Sequence, residues 1–229
     1  MYLSRLKLEP FRLRKVYSSP QAMHGAIEAA FEGELDARKL WRIDRLDGQD
    51  FLLVCSPALP LDSVPNDLGG KSVTWESLDY EPFLSKLEVG QRWHFRLRAN
   101  PTYSVSQGEG KRGKVYAHVT TEQQKLWLLS RAEKYGFVIA QSENDVDVEQ
   151  DDEGAGTRAD LYQFDVAERM QLRFQKKAGT KPVEVRVATL EGVLEVTDAG
   201  ALRHALCGGI GRAKAYGCGL MTLAVASRR

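Results

Sequence analysis

The order of hydrophobic patterns along the chain constrains the fold more than any single motif does. In the first 80 residues, period-two alternation and turn residues predict four strands, and helical periodicity with caps predicts two helices. In chain order these are a strand at 2–9, a helix at 18–31, strands at 39–46 and 51–56, a helix at 62–68 and a strand at 72–78. The order βαββαβ predicts a ferredoxin-like unit, which is a four-stranded sheet with both helices on one face.

The same order recurs in the rest of the chain. Strands are predicted at 92–100, 137–142, 161–165, 172–175, 183–190, 193–196 and 220–226, and helices at 120–134 and 198–206. The sequence therefore predicts an α+β fold of two tandem ferredoxin-like domains, residues 1–88 and 89–229, with a boundary near "LEVGQ". The second domain is expected to carry an added basic β-hairpin. A single larger mixed α+β domain is the alternative.

Charge and cysteine content narrow the class of protein. A net charge of +1 on 229 residues excludes a globally basic nucleic-acid binder but allows a basic patch. The stretch "SENDVDVEQDDEG", in an acidic insertion at about 143–160, carries seven carboxylates without EF-hand spacing, which favours a mobile solvated loop over a metal site. Three scattered cysteines and a charged N-terminus indicate a reduced cytoplasmic protein without a signal peptide or membrane contact.

Cations cluster on one strand face and in two turns. In "RWHFRLRAN" the polar face carries Arg92, His94, Arg96 and Arg98, and we expect this face to be uncovered or to face the partner domain. The two turns, "GEGKRGK" and the hairpin of "RMQLRFQKKAGTK", supply Lys111, Arg112, Lys114, Arg169, Arg173, Lys176, Lys177 and Lys181. Each cluster alone is also typical of a solvated surface. Together they favour a polyanionic ligand, because a basic two-stranded ribbon fits a nucleic-acid groove.

The glycine-rich stretch "GGIGRAKAYGCGL" at 208–220 matches no nucleotide-binding motif. A P-loop needs Gly-Lys followed by Ser or Thr, and a dinucleotide fingerprint needs a strand before it, whereas a helix precedes Gly208. Gly209 and Gly211 would let the main chain lie against a phosphate backbone, with Arg212 and Lys214 alongside. The alternative is a helix stop followed by tight glycine packing between domains, and the residues alone do not separate the two.

The motifs together resemble the CRISPR RNA-processing endoribonuclease family CasE of the type I-E system. The resemblance is carried by "GGIGRAKAYGCGLMTLA", "FRLRANP", "EGVLEV", "MYLSRL", "KLWLL" and the "MH" of the first helix, which are spread over nearly the whole chain. It implies two tandem ferredoxin-like domains, a bound CRISPR repeat RNA stem-loop, and association with other Cascade subunits. We expect the isolated protein to be a monomer. It also implies that the glycine stretch serves RNA binding and domain packing.

The histidines suggest chemistry that needs no metal or cofactor. None of the four pairs with another ligand at metal-binding spacing, and RNA supplies its own nucleophile, the ribose 2′-hydroxyl. His24 is the candidate for proton transfer, because Pro20 places it early in a helix, near the positive dipole end that favours phosphate. The family's catalytic histidine matches His24. His94 is its rival.

One departure from the family concerns the residue three positions before this histidine. Relatives have a tyrosine there, and this chain has Gln21. Gln21 can hydrogen-bond a phosphate oxygen but cannot donate a proton as a phenol does, so Tyr17 is a candidate for that role. The sequence therefore predicts a metal-independent endoribonuclease that cuts repeat RNA beside its stem-loop and stays bound. A non-catalytic RNA-hairpin-binding subunit of the same fold is the alternative, and a small-molecule or protein-interaction module is the third hypothesis.

Overall fold

The first part of the chain forms one antiparallel sheet under a helix. The computed structural model describes residues 1–9, 19–32, 38–108, 110–141, 158–175 and 179–225. The elements of this first part are β1 (Tyr2–Leu8), helix α1 (Pro20–Glu28), β2 (Leu40–Leu46), β3 (Gln49–Ser56) and β4 (Trp75–Asp79). The strand order in the sheet is β2-β3-β1-β4.

Local sequence explains where these elements begin and turn. Helix α1 begins after Ser19, whose side chain accepts a hydrogen bond from the Ala22 amide at 3.4 Å, and Pro20 occupies the first helical position. The turn between β2 and β3 has positive φ at Asp47 (49°) and Gly48 (77°), as a two-residue hairpin requires. Met23 and Ile27 of α1 are buried in the same core as the sheet residues. Both the helix start and the hairpin turn are confirmed.

The helix expected at 62–68 is wrong. That segment forms a series of turns that lead into a short 3-10 helix, Gly70–Ser72. The Pro65 carbonyl accepts hydrogen bonds from the amides of Leu68, Gly69 and Gly70, and both glycines have positive φ. Turn chemistry therefore overrides the apolar periodicity. A single-turn helix, α2 (Glu81–Leu84), follows β4 instead.

The second sheet repeats the order of the first. The elements are β5 (Arg92–Ala99), β6 (Thr102–Val105), β7 (Lys114–Ala117), α3 (Thr121–Ala132), β8 (Phe137–Ile139), β9 (Phe164–Phe174), β10 (Val183–Val196), α4 (Ala199–Gly208) and β11 (Met221–Val225). The path β11-β5-β10-β8 is antiparallel throughout. Among these four strands alone, the fourth, first, third and second in chain order stand side by side, as they do in β4-β1-β3-β2. The α+β fold of two tandem ferredoxin-like units is confirmed.

Two features of the second unit differ from expectation. The segments 161–165 and 172–175 belong largely to one strand, β9, and 183–190 and 193–196 form one strand, β10. Their pairing shifts register between Thr189 and Leu190, where β9 carries an extra residue, so the hairpin continues through the bulge. The short β6–β7 hairpin was not expected, and most of the acidic insertion lies outside the described residues.

The two units share a core. Leu40 and Cys55 from the first sheet are buried in the same cluster as Leu206 and Ile210 from the second unit. The side chain of Arg203 on α4 donates hydrogen bonds to the carbonyls of Leu84, Ser85 and Leu87, which lie between β4 and β5. We propose the boundary at about 88/89, between the two sheets. Among the described residues, no helix is long and apolar enough to span a membrane.

Candidate active site and RNA interface

Helix α1, which carries the candidate histidine, packs against the glycine-rich segment of the other unit. The short 3-10 turn Lys214–Tyr216 packs on α1, so the two regions singled out from the sequence meet at the junction of the two units. The His24 side chain is 34% exposed, and Gln21 lies one turn earlier on the same helix, also half-buried. Residues three apart share a helix face, so both side chains can reach one ligand.

The carboxylate of Glu28 lies next to the His24 side chain. The imidazole Nδ1 lies 3.7 Å from Oε1 of Glu28, one turn later on α1, and the other carboxylate oxygen of Glu28 accepts a hydrogen bond from the Lys39 ammonium. The Lys39 side chain is buried, with its nitrogen 5.4 Å from the centre of the Phe31 ring. At 3.7 Å the two groups are neighbours but are not hydrogen-bonded; a carboxylate that closes to hydrogen-bond distance of one imidazole nitrogen orients the ring for proton transfer at the other. Sequence reasoning missed Glu28 and Lys39, although the four-residue spacing of His24 and Glu28 was a usable signal.

Lys214 is held at this junction by its own loop. Its Nζ donates a hydrogen bond to the Gly208 carbonyl at 2.5 Å. Burial, and next the nearby positive charge of Arg38, lower the pKa of Lys214 from its ordinary value. The ammonium keeps donor capacity beyond that bond, because it carries three N–H groups. Arg212, two residues earlier, is exposed.

The glycines of the segment serve packing. A Cβ at Gly209 would lie 2.6 Å from a methyl of Leu40, one at Gly211 would lie 3.1 Å from the Trp127 ring, and one at Gly217 would lie 2.8 Å from the Trp41 ring. Gly209 is buried, so its main chain cannot lie against a phosphate, which corrects the expectation for that residue. Gly211 is half-buried and close to the Trp127 ring, and the predicted contact of its main chain with a phosphate stays a prediction.

The centre of the polar face of β5 is turned to the partner unit, and Arg92 and Arg96 on this face are paired with carboxylates. The Arg96 guanidinium lies 3.4 Å from Asp44 of β2 and 2.9 Å from Glu191 of β10, and Arg92 lies 3.0 Å from Glu195. Arg98 is only 6% exposed, so the expected RNA contact by Arg98 is wrong. Arg96 is engaged by two carboxylates and has little charge to offer a phosphate.

A buried arginine connects the two units at this face. Arg42 of β2 is 1% exposed, and its side chain makes five hydrogen bonds: two to the carboxylate of Asp44, two to the carbonyls of Arg96 and Leu220, and one to the hydroxyl of Thr222. We call the contacts of Arg42 and Asp44 with Arg96, Leu220 and Thr222 the seam. A guanidinium has five N–H groups, and here each one is used.

The remaining predicted cations lie on two hairpins and are exposed. On the β9–β10 hairpin, the Arg173 side chain is 69% exposed, with Nε 3.5 Å from Glu184, and Lys181 follows on the return side. Lys111, Arg112 and Lys114 are exposed on the β6–β7 hairpin. Arg169 of β9 donates a hydrogen bond to the Val119 carbonyl at 2.6 Å and so joins the two hairpins. Lys176, Lys177 and Tyr17 lie outside the described residues.

The other three histidines lie on the second unit, and His204 is exposed on α4 beside Gly208. His94 is exposed on the outer face of the second sheet, beside a shallow cleft of about 220 Å³ that Arg96 and Glu191 also line. His118 follows β7 and packs against Tyr103. Within the described residues, no group of three or more histidine, cysteine or acidic side chains is placed to hold a metal ion.

The fold and site define a tandem ferredoxin-like protein in which the helix that carries a half-exposed histidine packs on a turn of the other unit that contains Lys214. Residues 1–225 match the family described as CRISPR associated protein. The CRISPR-associated endoribonuclease Cse3 of Thermus thermophilus is 29% identical over 237 residues, covering 98% of this chain and 100% of that protein. The CRISPR system Cascade subunit CasE of Escherichia coli (strain K12) is 26% identical over 229 residues, covering 98% of this chain and 99% of that protein.

A solved structure agrees with these relatives. A CRISPR endoribonuclease Cse3 bound to a 19-nucleotide RNA superposes with a TM-score of 0.77 at 27% identity, covering 98% of this chain and 100% of that one. The chain therefore belongs to the CRISPR-associated protein family, and the resemblance to the type I-E endoribonuclease CasE is confirmed.

Proposed function

We propose that the protein is an endoribonuclease that cuts CRISPR repeat RNA beside its stem-loop and remains bound to the product as a Cascade subunit in the cytoplasm. The observation that carries this proposal is the half-exposed His24, which lies 3.7 Å from Glu28 on the helix that packs against the Lys214–Tyr216 turn. The similar Cse3 with a bound RNA and the similar Cascade subunit CasE support the substrate and the assembly.

The chemistry that this geometry supports is attack by the ribose 2′-hydroxyl on the adjacent phosphorus. The 2′-oxygen forms the new P–O bond and loses its proton, while the bond to the 5′-oxygen breaks and that oxygen gains a proton. The products are a 2′,3′-cyclic phosphate and a 5′-hydroxyl. His24 handles a proton in this step, since a positioned imidazole accelerates such transfers by about 10²–10⁴-fold.

The neighbouring side chains hold the phosphate rather than move protons. Gln21 can donate its amide N–H to a non-bridging oxygen, and Lys214 and Arg212 can offset the charge that develops there. The exposed cations of the two hairpins, Arg173, Lys181, Lys111, Arg112, Lys114 and Arg169, bind the phosphates of the RNA. Lys176, Lys177 and Tyr17 stay in the proposal as predicted from the sequence.

A second candidate is a subunit that binds the RNA hairpin without cutting it. The observation that favours it is Gln21 at the position where relatives have a phenol, since an amide cannot act as an acid. The two candidates make the same binding prediction and opposite cleavage predictions.

Incubation of the protein with an end-labelled repeat hairpin in EDTA separates the candidates. We expect cleavage at one position, a cyclic phosphate end, and loss of cleavage but not of binding when the nucleotide at the cut site carries a 2′-deoxy sugar. Binding of the all-ribose RNA without cleavage would support the second candidate. Cleavage of the deoxy substrate would exclude the 2′-hydroxyl as the nucleophile, and a failure to bind the hairpin would exclude both.

A further inference from the structure

The β6–β7 hairpin presents a row of aromatic side chains to solvent. Tyr103 and Tyr116 lie directly opposite each other in its register, and so do Val105 and Lys114. Side chains of directly opposed residues, and of residues two apart on a strand, share a face. One face of the hairpin therefore carries both tyrosines and the lysine. Tyr103 is 46% exposed and Tyr116 is 39% exposed, so neither ring is used by the core.

The rings of this face are already arranged as a stack. The centroids of Tyr103 and Tyr116 are 5.7 Å apart with an interplanar angle of 25°, and the His118 ring is 5.0 Å from Tyr103. On the other side, Nζ of Lys114 lies 5.1 Å from the centre of the Tyr116 ring. We call the face formed by Tyr103, Tyr116, His118 and Lys114 the tyrosine platform. The cross-strand pair of Tyr103 and Tyr116 contributes roughly 0.2–1 kcal/mol to the hairpin, and both rings still keep a large exposed area that a ligand can cover.

The charge around the platform complements a polyanion. The segment 102–117 has Lys111, Arg112 and Lys114 against a single acidic residue. Arg169 of the β9–β10 hairpin donates to the Val119 carbonyl at the base of this hairpin, which brings another exposed guanidinium beside it. Aromatic faces flanked by cations are the combination that binds single-stranded nucleic acid, because each base has a face for stacking and each nucleotide has a phosphate.

Unpaired nucleotides fit this surface better than a stem does. In a duplex, the faces of the bases are covered by their neighbours, and only phosphates and groove edges are available to a protein. Sequence-independent stacking on Tyr or His requires a base that is unstacked or terminal. We propose that the tyrosine platform binds unpaired nucleotides that flank the RNA stem-loop, by stacking bases on Tyr103 and Tyr116 while Lys111, Arg112 and Lys114 contact the phosphates. This proposal rests on the proposed function, because the flank belongs to the same RNA.

Binding to three RNAs tests the platform. They are the stem-loop alone and the stem-loop with an extension of about ten unpaired nucleotides on its 5′ or its 3′ side, a length within the range of ~4–16 nucleotides that single-strand sites cover. The wild-type protein should bind one extended RNA more tightly than the stem-loop. The double substitution Tyr103→Ala with Tyr116→Ala should weaken that binding by roughly five-fold to 100-fold for each base lost from the stack. It should leave the affinity for the stem-loop within two-fold (about 0.4 kcal/mol at RT ≈ 0.59 kcal/mol).

Two matched variants separate stacking from other effects. Tyr103→Phe with Tyr116→Phe keeps both rings and should keep the wild-type affinity for the extended RNA. Val115→Ala, on the opposite face of the same hairpin, should change neither affinity. An equal loss for all three RNAs in the double alanine variant, or no loss for any, would overturn the platform. No loss for any of the three RNAs would indicate that the surface binds a protein partner instead.

A probe in the RNA keeps the test independent of whether the alanine variant folds. With 2-aminopurine placed at successive flank positions, stacking on a tyrosine of the wild-type protein should quench the fluorescence at one or two positions. Uniform fluorescence along the flank of a bound RNA contradicts the proposal. If the wild-type protein neither binds nor cuts the stem-loop, the proposed function fails; if it cuts the stem-loop but shows no flank preference, the platform alone fails.

Discussion

The seam and the tyrosine platform both contain cations, but their partners differ. In the seam, all five N–H groups of Arg42 are hydrogen-bonded and the guanidinium is 1% exposed. On the platform, Lys114 has a contact with the Tyr116 ring, and the side chain is exposed. A buried charge must be paired inside the protein, whereas an exposed one keeps its charge for a ligand. Function is therefore expected at His24 and the hairpins, and stability at the seam.

The largest effect that this comparison predicts is on catalysis. His24→Ala removes the imidazole at the junction while leaving the packing of α1 intact, because the side chain is only half-buried. We expect single-turnover cleavage to slow by about 10²–10⁴-fold, with hairpin affinity within a few-fold of the wild type. His204→Ala, on the exposed side of α4, is the matched control and should cut at the wild-type rate. A His24→Ala variant that cuts as fast as the wild type would remove His24 from the mechanism.

The next largest effect should be on folding and should come from the seam. Arg42→Met removes five hydrogen bonds and leaves Asp44, whose side chain is 4% exposed, with Arg96 as its remaining cation. Breaking a buried pair in this way costs about 3–5 kcal/mol in the free energy of unfolding, which urea denaturation measures. Arg92→Met, which breaks the exposed pair with Glu195, should cost less than about 1 kcal/mol. Equal losses for the two variants would mean that burial does not distinguish the two regions.

Two glycines, one packed against the other unit and one exposed, should show a smaller difference in stability of the same kind. Gly217 has φ of 76°, and a Cβ there would lie 2.8 Å from the Trp41 ring, so Gly217→Ala should destabilise the fold by about 1–3 kcal/mol. Gly25, beside His24 in α1, has no atom within 4 Å of an added Cβ. Gly25→Ala should stabilise the fold by about 0.5–1 kcal/mol, since alanine favours a helix interior over glycine. Thermal denaturation of both variants checks the opposite signs, and a destabilised Gly25→Ala would show that α1 is packed more tightly than the structure indicates.

Local patterns were enough for much of the fold. The Ser19–Pro20 helix start, the Asp47–Gly48 turn and most of the strands follow from residues close together in sequence. The failures arose where a segment was short or dominated by turns. The 62–68 segment has helical spacing of apolar residues, yet three amides converge on the Pro65 carbonyl. The strands of the β6–β7 hairpin have four residues each, too few for alternation to identify them.

The role of each cation on β5 depends on the register in which β5 pairs with β10, and sequence patterns do not predict that register. Alternation correctly placed Arg92 and Arg96 on one face of β5, but Glu195 and Glu191 face them from a strand nearly a hundred residues later. Only the pairing of β5 with β10 shows that these charges are neutralised. His24 was found because a helix start is a local signal. Lys39, which pairs with Glu28 beside His24, lies beyond the end of the helix. No helical spacing rule indicates a contact between residues eleven positions apart.

The smallest predicted effect concerns Arg173. This residue shares one property with each region, because it is exposed like Lys114 of the platform and has a carboxylate nearby like Arg42 of the seam. The Nε of Arg173 lies 3.5 Å from Glu184, and both side chains are more than half exposed. Such a pair adds less than about 1 kcal/mol to stability, so an RNA phosphate should displace Glu184 from Arg173. Arg173→Gln should weaken hairpin binding a few-fold and reduce the log–log salt slope by roughly 0.9, a value for B-DNA that serves as a guide for an RNA stem. Glu184→Gln is the matched control, since it releases Arg173 and should leave the slope unchanged while binding stays equal or tightens. Fluorescence anisotropy across a range of salt concentrations measures both quantities. If Arg173→Gln leaves the slope and the affinity unchanged, the guanidinium is solvated in the complex, and phosphate contacts must then come from Arg212, Lys214 and the cations of the β6–β7 hairpin.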